Sequence, residues 1–107
     1  MRPVRGEQTA SLPLSTPTVS VHIPPALRKK TAGRGRIDAQ GQTVGDVVHD
    51  LERQFPGLLF EICHETGEVR PYVNIFLDNE NIKSLRGLDT SVAGGAELYI
   101  LQSVAGG

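Results

Sequence analysis

The chain has 107 residues, enough for one domain with a small core and no more. Its formal net charge of −1 gives no global field toward nucleic acid or an anionic membrane, and no apolar run approaches the ~18 residues of a membrane span. A single cysteine, Cys63, excludes an internal disulfide framework and makes a reducing, cytoplasmic setting the expectation.

Residues 1–17 are rich in Pro, Ser and Thr. Arg2 and Arg5 are followed by no apolar stretch, so the segment is not a secretory signal, and it reads as a disordered lead-in. In "TVSVHI", Val19, Val21 and Ile23 alternate with Ser20 and His22, the period of a half-buried strand, which Pro24-Pro25 ends. Arg28, Lys29, Lys30, Arg34 and Arg36, with Gly33 and Gly35 among them, read as a mobile hairpin connection before a second strand from Ile37 to about Gln40. Val44, Val47, Val48, Leu51 and Phe55 then form a single helical stripe. Thr43 is its N-cap, Asp46 completes a capping box, and Pro56-Gly57 stops it.

"LLFEICHETGEVRP" reads as a short helical turn or irregular stretch leading to a loop at Glu65-Thr66-Gly67. "YVNIFLDNENI" is a strand with Val73, Ile75 and Leu77 on one side, a turn at Asn79 and a short strand near Ile82. "SLRGLDTSVAGG" is loop or one helical turn, and "AELYIL" is the last strand. This order predicts an α+β, β-grasp (ubiquitin-like) domain over residues 18–101, a mixed sheet covered on one face by one main helix. Residues 102–107 form a flexible tail ending in Gly106-Gly107.

If Leu98 and Ile100 face the helix, Tyr99 and Leu101 face away from it, as does Phe76. These three form a candidate partner-binding patch on the uncovered side of the sheet, next to the tail. The basic stretch holds five of the 11 Lys and Arg; it lacks P-loop spacing and reads first as a solvated loop able to steer an acidic partner or touch a nucleotide phosphate. Cys63-His64 has no third group that would make it a nucleophile and base, and His22, His49 and His64 lack metal-site spacing. No catalytic residues are expected.

"VNIFLDNENI", "GAELYIL" and the terminal "VAGG" resemble the ubiquitin-like sulfur carriers of the ThiS/MoaD family, most closely the cysteine-biosynthesis-type carriers. The resemblance covers Thr18 to Gly107, and its most specific element is the glycine pair after a strand of that pattern. It implies that an E1-like adenylating partner uses ATP to activate the carboxylate of Gly107, so that the carrier itself binds no cofactor. Sulfur then displaces AMP and leaves a thiocarboxylate for an acceptor enzyme, cysteine-synthase-like or a thiosugar synthase. A metalloprotease that exposes the glycine end is a further implied partner. Nucleic acid and membrane are not expected partners, and the carrier alone is expected to be a monomer. The tail suits this use. Gln102 to Gly107, fully extended, spans about 20 Å. Glycine has no Cβ, so Gly106 and Gly107 can pass a narrow channel, and Val104 and Ala105 complete the expected threading segment. Two alternatives stay open: a protein modifier joined through Gly107 to lysines, and a β-grasp binding module with an idle tail.

Overall fold

A computed structural model of the protein describes residues 16–103. Five strands, β1 (Thr18–His22), β2 (Arg36–Gln40), β3 (Val73–Leu77), β4 (Glu80–Asn81) and β5 (Glu97–Gln102), form one sheet in the order β2-β1-β5-β3-β4. The first and last strands run parallel at its centre, and every other pairing is antiparallel. That is a mixed β-grasp sheet, with helix α1 (Val44–Gln54) packed on one face.

The alternation expected of the strands decides which side is covered. Val19 and Val21, Ile37 and Ala39, Val73 and Ile75, and Leu98 and Ile100 are all buried. They meet Val44, Val47, Val48 and Leu51 of α1 in one continuous core. Leu77, at the end of β3, is only half-buried, and Phe55 caps α1 from the core margin. The capping box forms as expected: Thr43 Oγ1 accepts the Asp46 N–H at 3.1 Å, and Asp46 accepts the Thr43 N–H at 3.2 Å. Gly41 lets the chain pass beneath this cap, since a Cβ there would lie 2.5 Å from that of Asp46.

Two segments differ from the sequence expectation, and a third, left open between a helical turn and an irregular stretch, is helical. The basic stretch begins as a 3-10 helix, Pro25–Thr31, with Pro in its first turn and Ala32 at φ 55° closing it. Leu27 and Thr31 face inward and are buried, and the Thr31 hydroxyl donates to the Arg34 carbonyl at 2.7 Å. The link is therefore a packed element rather than a mobile loop. After Pro56-Gly57 a second helix, α2 (Leu58–Ile62), is well formed, with Leu58 and Ile62 buried. Glu52 supplies its missing cap from α1, accepting the N–H groups of Gly57 and Leu59. Those two bonds hold the Glu52 carboxyl below its ordinary value. Finally, β4 is Glu80–Asn81, and Ile82 turns into the core at the start of a 3-10 turn, Ile82–Ser84.

Ladder bonding reaches one residue ahead of β1, where the Pro17 carbonyl accepts the Gly41 N–H at 3.1 Å. The rest of the expected lead, residues 1–15, lies outside the described residues. Among the described residues no helix is long and apolar enough to cross a membrane.

Candidate functional site: the sheet face at the tail base

β5 carries the chain toward its end while locked on both sides. Its register pairs Glu97 to Tyr99 with Ser20 to His22 of β1, and Leu98 to Gln102 with Leu77 to Val73 of β3. The Ser103 N–H then donates to the Tyr72 carbonyl at 2.8 Å. Gln102, expected at the start of the tail, is thus the last residue of β5, and from Ile100 onward the strand is held by the β3 side alone. The candidate residues Val104, Ala105, Gly106 and Gly107 lie outside the described residues.

Phe76, Tyr99 and Leu101 share the uncovered face. Phe76 is the direct cross-strand partner of Tyr99. Leu101 stands one step closer to the tail and is 47% exposed, which leaves it available to a partner. Together with Asp78 and Asn79 they line a shallow depression.

His22 belongs to the same surface, which the sequence reading missed. Its ring stacks on Tyr99 with centroids 4.2 Å apart and planes 8° from parallel. Its Nε2 lies 2.5 Å from Glu97 Oε1. The alternation of β1 already placed His22 on the uncovered face, but its neighbours come from a strand about 75 residues away, with no local signal. One register row now crosses the whole sheet: Arg36, His22, Tyr99, Phe76, Asn81. The row beyond it, farther from the tail, is acidic, with Asp38 and Glu97 flanking Ser20 and Asp78 accepting the Glu97 N–H.

The remaining candidates lie elsewhere. Cys63 is buried in the floor of a groove of about 310 Å³ between α1 and α2. Burial pushes its thiol above the ordinary value and outweighs the opposing charge of Arg70, so it is a poor nucleophile at neutral pH. His49 and His64 line that groove, separated from His22 by the sheet. Phe60, at its rim, lies beneath the Arg70 guanidinium at 4.7 Å.

The family model described as ThiS matches residues 21–107. The chain belongs to the ThiS family. Among relatives of this ThiS-family protein, the sulfur carrier protein CysO of Mycobacterium tuberculosis is 36% identical over 91 residues, covering 83% of this chain and 98% of that one. Small archaeal modifier protein 3 of Haloferax volcanii is 37% identical over 72 residues, covering 67% and 76%. The crystal structure of the Amycolatopsis orientalis BexX/CysO complex contains a chain that superposes with a TM-score of 0.78. That chain is 32% identical, and the match covers 83% of the present chain and 99% of that one.

Proposed function

We propose that this ThiS-family protein is a sulfur carrier, a co-substrate rather than an enzyme, loaded at the carboxylate of Gly107. The observation that carries the reading is the 36% identity to a sulfur carrier along nearly that protein's whole length. In the first step a carboxylate oxygen attacks the α-phosphorus of ATP held by an E1-like partner and diphosphate leaves. Hydrosulfide then attacks the acyl carbon of the adenylate and expels AMP, and loss of the proton leaves the thiocarboxylate. An acceptor enzyme takes the sulfur. The reading holds whether the Gly107 carboxylate is encoded last or freed by a protease. The base of β5 supports it: the sheet fixes the position of Gln102, five residues before Gly107, which limits the volume a partner channel must search.

The test is mass spectrometry of the tryptic peptide Gly87–Gly107 after incubation with host extract, ATP and sulfide. Exchange of one oxygen for sulfur adds almost the mass of an oxygen atom, and this peptide lacks both Met1 and Cys63, whose oxidation mimics that shift. An ATP-dependent, alkylation-sensitive shift on Gly107 is expected, and Gly107→Ala is expected to slow AMP formation more than Ser103→Ala. An unshifted peptide excludes the carrier reading. The likeness to an archaeal modifier favours a second reading, conjugation to lysines. In that case the tail peptide appears branched onto other proteins.

A further inference from the structure

The parallel pairing of β1 and β5 has an electrostatic result. Because the two strands run the same way, the segment that follows β1 lies at the end of the sheet from which the tail leaves. That segment is the basic one. Arg28, Lys29, Lys30, Arg34 and Arg36 are all exposed there. They are held by structure rather than scattered on a loose loop. Arg28 Nε donates to the Ile23 carbonyl at 3.0 Å, and its guanidinium lies against Gly35. The 3-10 helix that presents Lys29 is anchored by Leu27 and Thr31. Lys30 turns toward Glu61 at 3.9 Å, and an Arg36 Nη donates to Ser20 Oγ at 2.9 Å. Among the described residues neither Lys29 nor Arg34 has a carboxylate partner.

The sign of charge therefore reverses along the strands. The acidic row of Asp38, Glu97 and Asp78 lies behind the aromatic row, Arg36 stands within that row, and Arg28, Lys29, Lys30 and Arg34 belong to the segment in front of it, at the end of the sheet toward which β5 runs. We propose that this basic edge is a docking collar for a protein partner whose tail-receiving channel is rimmed with carboxylates. The collar orients the carrier, the aromatic row supplies contact area, and the tail enters last. A polyphosphate backbone fits less well, since the acidic row stands directly behind the aromatic row and repels any anion that runs on along the sheet. The part played by the tail rests on the sulfur-carrier reading above; the charge preference of the collar does not.

Two arms test it. In the first, the labelled protein is titrated with hexaglutamate at low salt and its amide resonances are followed. Shifts confined to residues 28–36 are expected. They should vanish in Lys29→Glu/Arg34→Glu and persist in Lys83→Glu/Arg86→Glu, which makes the same change in net charge outside the collar. Shifts that ignore the collar reversal overturn the proposal, and preferential binding of hexathymidylate at the same salt overturns its assignment to a protein. In the second arm, AMP formation by the purified activating enzyme is measured. The collar variant is expected to lose about tenfold in kcat/KM, through KM, with weaker salt dependence, while the control stays within about twofold. Equal losses in both variants overturn the proposal. If the wild-type protein is never activated, the sulfur-carrier reading fails, and the peptide titration still decides the collar. An unchanged cooperative thermal transition in each variant excludes unfolding as the cause.

Discussion

At the scale of single residues, Asp50 ties α1 to the sheet. Its Oδ2 accepts the Gln40 N–H at 2.9 Å and the Gln54 side-chain amide at 3.2 Å, and its Oδ1 accepts from Arg53. Burial pushes its pKa up, but the Gln40 N–H, Arg53 and Gln54 together hold it below the ordinary carboxylate value. A folded pKa below the unfolded one gives stability that is present above about pH 4 and lost as pH falls through the folded value. Asp50→Asn places an amide NH2 against other donors. We expect it to cost about 1–3 kcal/mol at neutral pH. The gap in thermal midpoint between wild type and variant should narrow steadily as pH drops below 4; a gap independent of pH would show that the ionised form contributes nothing.

At the scale of elements, α1 and strands β1, β3 and β5 were readable because each repeats apolar residues often enough to show its period. Pro25–Thr31 was not, since only Leu27 and Thr31 point inward and one of them is polar. The surrounding cations and glycines match a solvated loop equally well, so composition outweighed two buried positions. Thr31 tests whether the element depends on them. Thr31→Val keeps the shape, removes the donor to the Arg34 carbonyl and is expected to lower stability by about 1–2 kcal/mol, read as a lower denaturant midpoint at unchanged m. An unchanged midpoint would mean that the segment is held by Leu27 alone. Likewise, α2 depends on a cap from Glu52, six residues before its first turn begins, which no local pattern announces.

At the scale of the whole molecule, the sheet order separates a covered face from a contact face. Alternation made Phe76, Tyr99 and Leu101 legible as outward residues. It could not join His22 and Arg36 to them, because that requires knowing that the first strand lies beside the last. Leu101 is the cleanest probe of this face, being exposed and outside the His22–Tyr99 stack. Leu101→Asp is expected to weaken binding to the activating enzyme by about 2 kcal/mol, roughly thirtyfold, measured by calorimetry, with the thermal midpoint within a few degrees of wild type. Unaltered affinity would remove the face from the interface.

The central place of β5 also sets how the molecule bears load. A strand at the edge of a sheet, pulled from one end, can peel away bond by bond. Here a pull on the tail runs along β5, and the ladder bonds to β3 over Leu98–Gln102 and to β1 over Glu97–Tyr99 lie across the force. They resist together, in shear, and must fail together. A load applied along the end of β5 is therefore expected to be borne by the sheet as a unit, without unravelling the body strand by strand.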